Sequence, residues 1–229
     1  MNKALKIIVE LLLLVVIAGL VVAIVKSIQQ PVNFNKAQAQ REQVAIQRLK
    51  DIRSLEVAYN SVNGKYTADF DSLFNFYRNG QMDVIMQIGS NDDSLAVANT
   101  EALRKRNRNI TPQEMYQLYK QGERLVFSIT NKVNVRDTLF NDRPGYEIDS
   151  LRYIPFSGKQ KTQLDAVVKT VSGVQVPLFE AKMPYKALLK GLDNQLRINL
   201  DADRRASNRY EGLMVGSVSA PNNNAGNWE

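Results

Sequence analysis

Residues 7–25 read IIVELLLLVVIAGLVVAIV, an apolar run broken by a single charge at Glu10. At about 1.5 Å per helical residue, a run of about 19 residues nearly spans a hydrocarbon core of roughly 30 Å. The run therefore reads as a membrane-spanning helix, and the remainder of the chain as the part that this helix holds. A secretory signal would have a shorter apolar core followed by a small-x-small cleavage site. Here the run passes into Val25-Lys26-Ser27 without one. The expectation is an uncleaved signal anchor over residues 1–26, single-pass in a bacterial inner membrane. Lys3 and Lys6 lie before the run, and Lys26, Lys36 and Arg41 follow it. A short leading segment with a basic border favours N-in, C-out, which places the C-terminal part in the periplasm. A cytoplasmic domain on an N-out anchor is the alternative orientation.

Glu10 is a candidate partner-binding residue, because a carboxylate exposed to lipid is costly and seeks a basic group or an amine. Two partners are open to it, a neighbouring subunit or Lys6, four residues earlier on the same helix. Beyond the membrane, Pro31 is expected to interrupt the helix. Residues 35–48 (NKAQAQREQVAIQR) are polar nearly all round, the pattern of an exposed stem rather than a core element. Ala45, Leu49, Ile52, Leu55, Tyr59 and Val62 then recur at three- and four-residue steps, a stripe that should dock on a globular domain. Asn63-Gly64 closes the stem, which covers residues 27–64.

An apolar helix with an early Glu, a Pro, a polar helix and then LKDIRSLEVAYNSVNGKYT (residues 49–67) resembles the layout of type IV pilins and type II secretion pseudopilins. The resemblance covers roughly residues 7–77 and is carried by Asp51-Ile52, Leu55-Glu56, Ala58-Tyr59 and Asn63-Gly64-Lys65-Tyr66. It implies a sheet packed on a long helix, and a role for Glu10 in registering neighbouring subunits. Two departures stand beside it. No Gly precedes a processing site at the matching place, and the spacing from Glu10 to the Tyr66 region is about one helical turn longer. The stretches IPFSG, VPLFEAK, LLKGLDNQLRINL, GLMVGS and AGNWE, within residues 154–229, look like those of uncharacterised Bacteroides-type envelope proteins. That likeness implies an envelope setting and no activity.

Residues 65–219 read as an α+β domain, a mainly antiparallel sheet with a few helices. Thr67 or Asp69 caps a short helix through Tyr77, and MDVIMQIG from Met82 is a strand. Thr111-Pro112-Gln113-Glu114 opens a helix with a capping box that Gly122 ends. Strands are expected through Leu125–Ile129, Val133–Val135, Ile148–Ile154, Val167–Val171, Val174–Leu178 and Leu213–Val218, with Ser172-Gly173 as a hairpin turn. A helix is expected over Tyr185–Leu192. The last ten residues, APNNNAGNWE at 220–229, are expected to be a mobile tail unless something holds them. Trp228, the only Trp, is read either as folding back on its own domain or as a docking tag.

Composition narrows the chemistry. With 30 Lys plus Arg against 23 Asp plus Glu the chain carries +7, and it has neither His nor Cys. That removes the usual neutral-pH base, the Ser-His and Cys-His nucleophile pairs, and every His or Cys metal site. Arg104, Lys105, Arg106 and Arg108 form a basic run, read as a solvated face or as a contact for an acidic partner. No DNA- or RNA-binding fingerprint accompanies it, so nucleic acid is not an expected partner. Asp92 and Asp93 could ligate Ca²⁺, but they lack the ordered ligand spacing of a calcium loop, and the stretch is read as a solvated loop. Asp201 and Asp203 read as surface ion pairs with Arg204 and Arg205 rather than a catalytic pair. No cofactor and no enzymatic activity are expected. The leading reading is a membrane-anchored structural or assembly subunit of an envelope complex, associating with itself or with other envelope proteins. The alternative is a membrane-tethered binding module or sensor accessory that captures an acidic ligand.

Overall fold

The computed structural model describes residues 3–229, with side chains described from Glu10 onward. Lys6, as a side-chain partner for Glu10, lies outside the described residues. A single helix, α1, runs from Lys3 to Asn63. Its apolar stretch has a mean hydropathy of 2.9, is long enough to cross a membrane, and has none of its surface buried by protein. Gly64, at φ +69°, ends the helix and donates its N–H to the Asn60 carbonyl.

The break expected at Pro31 is absent: the proline lies in the helix interior. A proline there costs about 3 kcal/mol, since it removes one backbone hydrogen bond and crowds the preceding turn. Contacts in the flanking turns offset that cost. Gln30 donates to Asp193 just before the proline, while Phe34 is buried just after it.

The chain divides into two units, residues 55–147 and residues 1–54 with 148–229. In the 55–147 unit, the last turns of α1 bury Leu55 and Ala58, and Tyr59 meets Phe76 edge-on at 5.3 Å. Helix α2 (Phe70–Asn79) is capped by the Asp69 carboxylate and buries Phe70, Leu73, Phe74, Phe76 and Tyr77. Strand β1 (Gln81–Ile88) leads into helices α3 (Ser94–Arg106) and α4 (Pro112–Lys120). It then pairs antiparallel with β2 (Phe127–Asn134), from Gln81↔Asn134 to Ile88↔Phe127. Met115, Leu125, Phe127 and Ile129 form the core between α4 and this ribbon. Thr111 and Glu114 make the expected capping box of α4. Helix α3 is absent from the sequence reading, because its buried side is only Ala96 and Thr100, too small and too polar to leave an apolar stripe.

Val135, expected in a strand, instead starts the short helix α5 (Val135–Thr138), and its N–H bonds to the Gly80 carbonyl. In the other unit, Ile148–Arg152 is a 3-10 turn where a strand was expected. The buried residues are Ile148, Leu151 and Ile154, a step of three that suits the eclipsed geometry of a 3-10 helix and not the period of two of a strand. Strands β3 (Gln163–Val171) and β4 (Val174–Pro184) form the expected hairpin, with Ser172 and Gly173 at φ 51° and 84° as a tight two-residue turn. Helix α6 is confined to Tyr185–Leu188, and a further helix α7 (Asn194–Ala206), capped by Asp193, follows. Strand β5 (Gly212–Gly216) completes the three-stranded sheet β3-β4-β5. The molecule is thus α+β with two small antiparallel sheets.

The segment 220–229, expected to be mobile, is held. Gly216 N–H bonds to the Ala225 carbonyl and Asn227 N–H to the Met214 carbonyl, each at 3.0 Å, so the tail extends the sheet beside β5.

Ile52 is 0% exposed, whereas Ala39 faces solvent on the same helix. Ile52→Asp buries an unpaired charge and is expected to cost several kcal/mol, while Ala39→Asp costs little. Equal melting shifts for the two variants would contradict this packing.

Candidate functional site

One face of the polar stem is not a solvated surface: Gln38, Arg41, Glu42 and Arg48 are partly buried, while Asn35, Lys36, Gln40, Gln43 and Gln47 stay exposed. Within the unit of residues 1–54 and 148–229, arginines form a row of clamps along α1. Arg41 donates to the carbonyls of Leu188 and Lys190, at 3.0 and 2.8 Å, and its guanidinium lies over the Phe156 ring. Arg48 donates to the carbonyls of Ser150 and Tyr153 at 3.0 and 2.6 Å. Arg53 reaches the Asn224 carbonyl and pairs with Glu229 at 2.7 Å. Each arginine therefore fastens a different loop to the helix. A fork of fixed donors suits this task, because two carbonyls can be held by one side chain.

Between the first two clamps, Glu42 faces the buried Tyr185, whose hydroxyl also accepts from Arg204 at 2.6 Å. Burial, with the Glu42 carboxylate beside it, pushes the Tyr185 hydroxyl well above the ordinary phenol range. This links α1, α6 and α7 through polar groups. Under them, Ala45, Leu49 and Ile52 are fully buried. Phe34, Gln38, Arg41, Ala45, Arg48 and Ile52 advance by alternating steps of four and three, the spacing of a helix seam. Apolar periodicity finds only half of that seam.

The residues singled out from sequence lie on separate elements. Glu10 lies on the exposed apolar part of α1. Arg104, Lys105 and Arg106 occupy the last turn of α3, where cations are favoured by the helix dipole, and Arg108 follows them. All four are exposed. Trp228 is half-buried and folds back on the tail, with its ring pressed on Gly226, where a Cβ would lie 2.3 Å from the indole. Asp93 is occupied as the cap of α3 and by Arg124 at 2.7 Å, which hold its carboxyl below the usual range. Asp201 is buried and paired with Arg197, whereas Asp203, two residues on, is exposed. A step of two residues is about 200° around a helix, so α7 turns the two carboxylates to different faces. Among the described residues, no three His, Cys, Asp or Glu side chains form a group able to hold a metal ion.

Two open concavities flank the clamped helix and α7. A groove of about 580 Å³ runs beside the first turns beyond the apolar stretch, lined by Lys26, Gln30, Phe34, Ala37, Leu192 and Asp193. The second, about 630 Å³, is lined mainly by Lys186, Arg197, Asp201, Arg205, Arg209 and Tyr210. In it, Arg205 is engaged by Glu211 at 2.7 Å and Arg197 by Asp201.

Sequence reasoning also passed over Glu56, in the 55–147 unit. It is fully buried, its Oε2 accepts one hydrogen bond from the Thr67 N–H at 3.2 Å, and its Oε1 has no partner. Burial raises its carboxyl from the usual 4.5 to about 8, against the weaker opposing effect of the Thr67 hydrogen bond. Burial therefore favours the neutral acid in the folded chain.

Compared with known protein families, with curated proteins and with solved structures, the chain finds no match. Fold and site define a class in physical terms: an α+β protein carrying one exposed apolar helix that continues, unbroken, as the axis of a folded unit.

The Glu56 shift has a definite sign. Between pH 4.5 and about 8 the folded state binds a proton that the unfolded state has lost, so stability falls as pH rises. The slope approaches about 1.4 kcal/mol per pH unit within that window. Glu56→Gln, which mimics the neutral acid, is expected to remove this slope and to melt higher than the parent at pH 8. Parallel stability profiles for parent and variant from pH 5 to 9 would contradict the assignment.

Proposed function

We propose that this chain is a membrane-anchored structural or assembly subunit of a cell-envelope complex. In this reading α1 crosses the inner membrane once and the folded units stand in the periplasm. The observation that carries it is the continuity of α1 from its unburied apolar stretch into the arginine clamps. A module that only needs tethering is served by a flexible linker, which decouples it from the anchor. Here no such linker follows the apolar stretch, so a rotation or register fixed in the membrane is transmitted to the folded unit. That coupling is useful to a subunit that packs on neighbours.

Glu10 then has a role in association. A carboxylate within an apolar helix gains most when a neighbouring subunit brings it a basic group or an amine. The resemblance of the N-terminal part to pilins and pseudopilins supports the same layout. The alternative, a tethered module for an acidic ligand, is supported only by the exposure of Arg104, Lys105, Arg106 and Arg108. It calls for salt-sensitive ligand binding that is lost when these four are replaced.

Glu10→Gln is expected to reduce the size of the complex in native detergent extracts and to impair cellular function, with the melting of the folded units unchanged. If the full-length parent runs as a monomer and Glu10→Gln changes neither size nor function, the helix is merely a tether and the proposal fails.

A further inference from the structure

The two edges of the three-stranded sheet are treated differently. The outer side of β5 is covered by the chain's own tail through the Val215↔Gly226 bridge and the hydrogen bonds of Ala225 and Asn227. The outer side of β3 is open, because β3 stands at the end of the order β3-β4-β5. Strand β3 is 9 residues long, QLDAVVKTV, without proline, and its register with β4 is unbroken from Gln163↔Lys182 to Val171↔Val174. Long, regular edges of this kind are templates for pairing with another strand.

The hairpin fixes which backbone groups are free. A two-residue turn makes Val171↔Val174 a pair that exchanges both hydrogen bonds, and pairs alternate from there. Residues 163, 165, 167, 169 and 171 therefore turn their N–H and C=O toward β4. Leu164, Ala166, Val168 and Thr170 turn theirs to the open edge.

The sequence of this edge is complementary to itself. Set antiparallel about a two-fold axis at Val167, two β3 strands place Ala166 opposite Val168 and Leu164 opposite Thr170, and these are the residues with free backbone groups. Between them, Asp165 faces Lys169 on both sides of a central Val167 pair. These fall at non-hydrogen-bonded positions, where side chains come closest. Other registers lose this. Centring on Asp165 opposes Asp165 to itself and Lys169 to Lys161, and centring on Lys169 opposes two lysines. Asp165 also has cause to accept a cation. Its cross-strand neighbour in β4 is Glu180, a like charge that is itself engaged by Lys182. Lys169 is exposed and holds only the Ser219 carbonyl, at 3.2 Å.

We propose that the open edge of β3 is a homotypic interface, at which two copies of this chain join their sheets antiparallel about Val167 into one six-stranded sheet. Asp165 and Lys169 set the register, and Val167, Val171 and Val174 lend the apolar surface beside it. The interface uses no residue of α1 and stands whether or not α1 crosses a membrane.

The chain has no cysteine, so Val167→Cys introduces a single thiol. In full-length protein held in detergent, mild oxidation of Val167→Cys is expected to give a covalent dimer, since paired Cα atoms at such a position lie about 4.5 Å apart, within disulfide range. Thr170→Cys, opposite Leu164 in this register, is expected to remain uncrosslinked. Adding Asp165→Lys or Lys169→Asp to Val167→Cys should cut crosslinking about tenfold by opposing like charges. Mixing the two charge variants should restore it, as a heterodimer. The dimer should persist in Glu10→Gln, which separates this contact from association through the helix. No excess of crosslinking at 167 over 170 would overturn the interface, and single charge reversals that crosslink as well as the parent would overturn the register.

Discussion

One unbroken helix must satisfy two environments. Over residues 11–25 α1 exposes only apolar residues, and the described parts of the chain bury none of them. Over residues 30–53 the same helix is the axis around which a folded unit is fastened by side chains that reach carbonyls and the Asp193 carboxylate. The backbone hydrogen bonds of a helix are internal, so they survive passage from one environment to the other. Only the side chains need to change. That is why the sequence switches abruptly from Leu and Val to Gln, Arg and Ala near Lys26 with no change of secondary structure.

Contacts in the turns on either side, the Gln30 to Asp193 hydrogen bond and buried Phe34, hold the helix where a proline stands at position 31. Its penalty of about 3 kcal/mol is local. Each arginine clamp makes charge-assisted hydrogen bonds of about 1.5–3 kcal/mol, and Leu49 and Ile52 are each worth about 1.5–3 kcal/mol when buried. These contacts fix the helix beyond the proline. A hinge at residue 31 would not break the clamps, but it would sever them from the anchor, and the Gln30 to Asp193 hydrogen bond opposes that by gripping the turn before the proline.

Much of the architecture was legible where one physical signal acts alone. The capping box at Thr111 and Glu114, the Asp69 cap and the Ser172-Gly173 turn are local chemistry, and each is found in place. The elements that escaped are governed by contacts distant in sequence. The stem looked solvated because its seam is filled largely by Arg41 and Arg48, whose partners at 150, 153, 188 and 190 lie more than 100 residues away. Ile148, Leu151 and Ile154 looked like a strand by composition, yet their step of three is a 3-10 spacing. Glu56 entered only as part of a family-like motif, although burial pushes its carboxyl up to about 8. The tail, low in apolar content, is held by backbone hydrogen bonds, which leave no mark on composition.

The continuity of α1 through Pro31 is the claim on which anchoring and coupling both rest. With no native cysteine to remove, spin labels can be placed on Leu20→Cys and Ala39→Cys, both on exposed positions of the helix. The distance between them can then be read by pulsed electron resonance on the full chain in lipid nanodiscs. An unbroken helix separates the two backbones by about 28 Å, and the account requires one narrow distribution near that value. A broad distribution, or a mean several ångströms shorter, would show a hinge at the proline and reduce the apolar stretch to a loose tether.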